Sequence, residues 1–185
     1  MRRNDAIILV STLISGIVLY VGVCSIMGFP LIKKSEYVTG IKPVNTGREG
    51  TLLPDINILL IDSTTIFNVS GIPRGKPFVL FYFITDCPYC QSEIVEITKN
   101  MASLEDINFY LVTPYPFTYM KIFYDKYQLW RYNNIKIGSD IEQKFGTYFN
   151  TKYVPFIAIY SEERKLKSAF VGNLNSRQIR YELFR

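Results

Sequence analysis

The sequence predicts a three-layer α/β domain opened by a β-hairpin and preceded by one membrane-spanning helix. Three observations carry this reading. Strand-like and helix-like patterns alternate from about residue 52 to residue 184. One strand-like stretch, Phe78 to Ile84 (FVLFYFI), is apolar at every position, as a strand covered on both faces in a central parallel sheet must be. Residues 6–32 carry no charge, and an uncharged run of about 20 residues is long enough to cross the hydrocarbon core as a helix.

The elements follow in chain order. Residues 1–32 are expected to form the anchor, flanked by Arg2, Arg3 and Asp5 before the run and by Lys33 and Lys34 after it. A cleaved signal peptide is the competing reading, but such cores are shorter and end in small residues. A lipoprotein signal fits poorly, because Val23 stands where a small residue would precede Cys24. Cys24 is therefore read as an apolar residue of the anchor. Residues 33–50 are polar and without period, a tether, and the domain is expected over 51–185.

Ile56 to Ile61 and Ile66 to Val69 are β-rich runs parted by Asp62-Ser63, a hairpin. After the loop Gly71 to Pro77 comes the buried strand 78–84. A helix over 88–102 follows, with Ile94, Val95, Ile97, Met101 and Leu104 expected on its buried side. A strand over 107–112, an aromatic-rich helix over 117–129 and a short strand over 134–137 come next. Ser139-Asp140-Ile141-Glu142 has the form of a capping box opening a further helix. Strands over 155–160 and 167–171, joined by the charged turn 161–164, lead to a closing helix over 176–184. Alternation of this kind gives layers of helix and sheet. Phe81, Phe83, Phe123 and Tyr127 fall at core spacings, so packing explains them better than a ligand pocket does.

Composition removes several function classes. Histidine is absent from the 185 residues, which excludes every imidazole mechanism and every His-ligated metal site. Three cysteines cannot build a multi-bridge scaffold or a four-Cys zinc site within one chain. The net charge of +5 is spread along the chain rather than gathered into the basic stripe of a nucleic-acid binder.

The chemistry concentrates in Cys87-Pro88-Tyr89-Cys90. Two thiols three residues apart at a strand-to-helix junction share one face of the first helical turn, within bonding reach. Cys87 would sit at the helix N-terminus, where free N–H groups and the macrodipole favour an anion, and the thiolate is the nucleophilic form. Pro88 is tolerated in the first turn because its missing N–H has no partner there. Cys87 can attack a disulfide and Cys90 can resolve the mixed intermediate. Asp86 opposes that thiolate by its charge or caps the helix. Half of a metal site, an inert structural disulfide and a chance pair of buried thiols remain as alternatives. Val154-Pro155 stands where a later strand begins. Its bond is either cis, placing its backbone beside the cysteines to pair with an extended segment, or an ordinary strand-opening proline.

At these residues the chain resembles the thioredoxin superfamily, and within it the membrane-anchored TlpA-like thiol–disulfide oxidoreductases of bacteria. The resemblance covers about residues 50 to 185. It rests on Leu53-Pro54-Asp55 before the hairpin, Gly75-Lys76-Pro77 before FVLFYFI, Thr85 to Gln91, Tyr153-Val154-Pro155, Gly172, and the extra strand and helix between the Cys-x-x-Cys helix and Pro155. It implies a thioredoxin-like α/β/α sandwich. It also implies Cys87 as nucleophile, Cys90 as resolving thiol, and a substrate surface at Val154, cis Pro155, Pro88 and Tyr89.

Protein thiols and disulfides are the implied partners. An upstream membrane electron donor is a further implied partner, and no cofactor is called for. The domain would lie on the extracytoplasmic, periplasmic side of a bacterial cytoplasmic membrane and act as a reductase. The chain departs from the pattern in four places. Pro-Tyr separates the cysteines as in glutaredoxins, Phe81 replaces a buried Asp, Asp86 replaces a Trp, and Phe156 replaces a Thr. The missing carboxylate leaves water or Glu93 to accept the Cys90 proton. The peroxiredoxin pattern Pro-x-x-x-Thr-x-x-Cys does not fit. Positions 80 and 84 are Leu and Ile when counted to Cys87, and position 83 is Phe when counted to Cys90. A metal-handling protein such as a copper chaperone, and a non-catalytic binding module, are the alternatives from other classes.

Overall fold

The computed structural model describes residues 40–185. The expected anchor, Cys24 and the first part of the tether lie outside the described residues. Among the described residues no helix is long and apolar enough to cross a membrane.

Seven strands form one mixed sheet: β1 (Asn57–Leu60), β2 (Ile66–Asn68), β3 (Phe78–Tyr82), β4 (Asn108–Thr113), β5 (Ile135–Ser139), β6 (Phe156–Tyr160) and β7 (Leu166–Val171). Their order across the sheet is β2-β1-β5-β4-β3-β6-β7. β3, β4 and β5 run parallel, whereas β6, β7 and the hairpin β1–β2 pair antiparallel. The centre of the sheet is thus parallel, as expected, and its flanks are antiparallel. β3 belongs to this centre and is buried at every position, as its unbroken apolar run requires.

Alternation along β3 divides the core. Val79 and Phe81, with Phe83 just beyond, face helices α1 (Pro88–Lys99), α2 (Phe117–Lys126) and α4 (Ser176–Phe184). Phe78, Leu80 and Tyr82 face the short helix α3 (Lys144–Phe149) and the chain before β1. Phe83, Phe123 and Tyr127 pack in series as tilted rings with centroids 4.6 Å apart at each step, so these aromatics belong to the core packing, as their spacing suggested.

Three differences from the expected elements have physical causes. α1 ends at Lys99 rather than 102, where the Asn100 side chain takes the Glu96 carbonyl, and a 3₁₀ turn over Met101–Ser103 follows. α2 ends at Lys126 rather than 129 because Gln128 turns to φ +50. The capping box at Ser139 does not open a helix. Ser139 closes β5, and α3 begins only at Lys144. The buried Asp140 carboxylate reaches forward to the N–H groups of Lys144 and Phe145 at 3.2 and 2.8 Å.

Residues 40–50, read as tether, lie against the domain. Val44 donates to Ala169 O at 2.7 Å, Gly50 donates to Leu166 O at 2.7 Å, and Ile41 packs on the core. Their polar sequence hides this, because the contacts are made chiefly by backbone.

Candidate active site

Strand register assembles the site at one edge of the sheet. β3 ends at Tyr82, which pairs with Phe156 at the start of β6, and Phe156 pairs in turn with Val171 at the end of β7. The segments leaving these strands therefore meet: 83–90 after β3, Thr151–Pro155 before β6, and Gly172–Leu174 after β7. β4, parallel to β3, delivers Tyr115 to the same edge.

Cys87 is the N-cap of α1, with extended φ and ψ of −73° and 119°, and Pro88 occupies the first helical turn. The Cys87 carbonyl accepts the first helical bond from Gln91 N at 3.0 Å, and Cys87 N donates to Ile84 O at 3.3 Å. Gln91 braces the approach loop by donating from Nε2 to Thr85 O at 3.0 Å. Both cysteines are free thiols, Cys87 partly exposed and Cys90 buried. Cys90 follows three residues on in the same first turn, and Cys87 packs against the core cluster to which Cys90 belongs. Burial pushes the Cys90 thiol far above the usual range, with Cys87 and Glu93 adding to the effect. One thiol is thus reachable from solvent and the other is enclosed.

Asp86 does not cap the helix. It accepts a hydrogen bond from the Tyr115 hydroxyl at 3.0 Å, and that bond holds the phenol above its ordinary range. It remains an exposed negative group next to Cys87. The Val154–Pro155 bond is cis. Val154 packs on the same core cluster as Cys87, and Pro155 is buried beneath it. Pro88, Tyr89 and Tyr153 are exposed around this opening, Tyr89 by 68%. The structure therefore brings Cys87, Cys90, Pro88, Tyr89, Val154 and Pro155 to one edge.

The buried side of α1 is Cys90, Glu93, Ile94 and Ile97, the i, i+3, i+4, i+7 stripe of a helix. Val95, expected inside, falls off that stripe and is 47% exposed. Glu93 takes the place instead and is fully buried. Its Oε2 accepts from Leu174 N at 2.9 Å and from Asn173 Nδ2 at 3.0 Å, while Oε1 has no hydrogen-bond partner. Burial lifts its carboxyl to about 7, against the two hydrogen bonds that lower it. Where thioredoxins carry a buried Asp, Phe81 is fully buried and stacks on Phe83 at 5.4 Å. The buried carboxylate on this side of the sheet therefore comes from the helix, three residues after Cys90, rather than from β3. Asn173 carries no local sequence signal, because its contacts lie 80 and 84 residues away. Among the described residues no group of three or more His, Cys, Asp or Glu is placed to hold a metal.

Comparison with solved structures gives the fold independently. A protein of Aquifex aeolicus VF5 superposes with a TM-score of 0.61 at 20% identity, covering 73% of this chain and 92% of that one. A secreted Mycobacterium tuberculosis disulfide oxidoreductase homologous to E. coli DsbE gives 0.55 at 18% identity, covering 69% and 92%. The thioredoxin domain of a Bacteroides vulgatus thiol-disulfide oxidoreductase gives 0.56 at 15% identity, covering 71% and 91%. The fold is thioredoxin-like. No curated protein matches the chain. The AhpC/TSA family model matches residues 50–171, a span from just before β1 to the last residue of β7, and the chain belongs to the AhpC/TSA family.

Proposed function

We propose that the chain is a thiol–disulfide oxidoreductase that exchanges disulfides with protein partners through Cys87 and Cys90. The observation that carries this is the pairing of a partly exposed thiol at a helix N-cap with a buried thiol three residues on in the same helical turn. The Cys87 thiolate attacks a partner disulfide, forming a mixed disulfide and releasing one partner thiol. Cys90 gives its proton to Glu93 and attacks the Cys87 sulfur. The Cys87–Cys90 bond forms, the Cys87–partner bond breaks, and the second partner sulfur leaves as a thiolate that takes up a proton. The partner gains the two electrons the chain loses.

A reductase direction is supported by charge. An oxidising dithiol is one whose reduced form is stabilised. Here Asp86 stands beside Cys87, and burial disfavours ionisation of Cys90. The expected potential of the pair lies nearer to about −270 mV than to about −120 mV on the superfamily scale, measured by equilibration with a thiol redox buffer. Residues 1–32 anchor the chain in a bacterial cytoplasmic membrane, with the domain on the extracytoplasmic side. The uncharged run supports this, and resistance to carbonate extraction together with protease accessibility in spheroplasts tests it.

The decisive experiment uses the full-length chain. Cys90→Ser accumulates mixed disulfides on Cys87, and Cys87→Ser reduces insulin no faster than dithiothreitol alone. Equal insulin reduction by wild type and Cys87→Ser would overturn the assignment.

A further inference from the structure

Asn173 ties the segment after β7 to two groups of α1. Its Nδ2 donates to the Tyr89 carbonyl at 2.8 Å and to Glu93 Oε2 at 3.0 Å. Both partners only accept, so the amide nitrogen, with its two hydrogens, is the end that faces them. Gly172 sets its direction. That residue has φ +107, a conformation open to glycine and strained for other residues, and its N–H donates to Pro155 O at 2.9 Å. Asn173 is thus anchored next to Pro155, grips the peptide that precedes Cys90, and holds one oxygen of the buried carboxylate.

The consequence is chemical. With Oε2 held by two donors and Oε1 without a partner, the proton goes to Oε1. We propose that Asn173 is a positioning residue: it fixes the Glu93 carboxylate relative to Cys90, so that Oε1 receives the Cys90 proton as Cys90 attacks the mixed disulfide. This rests on the reading of Cys87 and Cys90 as an exchanging pair.

The surroundings leave few competing charges. On α1 the titratable neighbours of Glu93 are Cys90 and Glu96, and Glu96 is itself tied to Ser176 N at 3.1 Å. The β7–α4 loop contributes only the Asn173 amide and the Leu174 N–H. On α4, Arg180 bonds Asp106, Glu182 bonds Ser168 and Arg185, and Arg177 is exposed. Loss of the Asn173 donor therefore falls on Glu93 directly. A hydrogen bond to a charged group contributes enough that its removal moves the carboxyl upward by about one pH unit or more.

The test is single-turnover resolution. The full-length chain is charged at Cys87 with a glutathione mixed disulfide, and glutathione release is followed from pH 5 to 9. In wild type the rate rises with a midpoint set by Glu93. Asn173→Ala moves that midpoint up by about one unit and slows release at pH 7 about fivefold. Asn173→Asp, nearly isosteric and unable to donate, moves it at least as far, and it controls for packing lost in the Ala variant. In a Glu93→Gln background, where the midpoint is gone, Asn173→Ala has no further effect on the rate.

A slower release with an unmoved midpoint would overturn the proposal, as would an undiminished Asn173→Ala effect in the Glu93→Gln background. Failure of wild type to release glutathione at any pH would remove the exchange reaction itself, a result distinct from both.

Discussion

Glu93 holds its proton in the folded chain at a pH where an exposed carboxyl has lost it, since burial raises it from 4.5 to about 7. Between these values the unfolded chain is ionised at this position and the folded chain is not. The folded state therefore binds more protons, and stability falls as pH rises. The contribution is fully present below about pH 4.5 and is lost by the time pH has passed 7. For a fully buried group this span corresponds to on the order of 3 kcal/mol. Glu93→Gln removes the titration and keeps the shape. In urea unfolding of the full-length chain, wild type should lose stability relative to Glu93→Gln from pH 4.5 to pH 8, and parallel curves would place Glu93 in contact with water. The proposed resolving step needs this same carboxyl without its proton, so the rate of that step and the stability report on one group by independent measurements.

At the scale of elements, α3 shows how a helix can start where its sequence motif does not. Asp140 is fully buried and satisfies two N–H groups at the helix start. Asp140→Ala leaves both donors without a partner, and the expected loss is about 1–2 kcal/mol, read as a lower urea midpoint with an unchanged slope. Asp140→Asn, which keeps one acceptor oxygen, should lose less. The cysteines and β3 were legible in the sequence because their signals are local: a spacing of three on a helix, and an unbroken apolar run. Glu93 was only half legible. It falls on the stripe with Cys90, Ile94 and Ile97, but Val95 offers an apolar side chain nearby, and hydrophobicity alone favours Val95 for the interior. Asn173 was not legible at all, because its role exists only once β7 has closed beside β6 and brought the chain back to α1.

At the scale of the whole molecule, function depends on a sheet whose far edge is protected. β6 and β7 hold Pro155 and Asn173 in register with the cysteines, and β7 is the last strand of the sheet. An uncovered last strand offers its backbone to other chains. Residues 44–51 cover it: Val44 N donates to Ala169 O at 2.7 Å, Gly50 N donates to Leu166 O at 2.7 Å, and Leu166 N donates to Thr51 O at 3.0 Å. Arg48 pins the same segment to Tyr148 O and lies over the Tyr148 ring at 3.9 Å. Val44→Pro deletes the first of these donors while keeping an apolar side chain at the position. An unpaired buried carbonyl costs about 1–3 kcal/mol, which for a chain of this size lowers the melting temperature by about 3–8 °C. Val44→Ala, which keeps the N–H, should lose less than Val44→Pro. If instead the two variants melted together, the segment would hold β7 through side-chain packing alone, and the backbone seal on this edge would carry none of the stability.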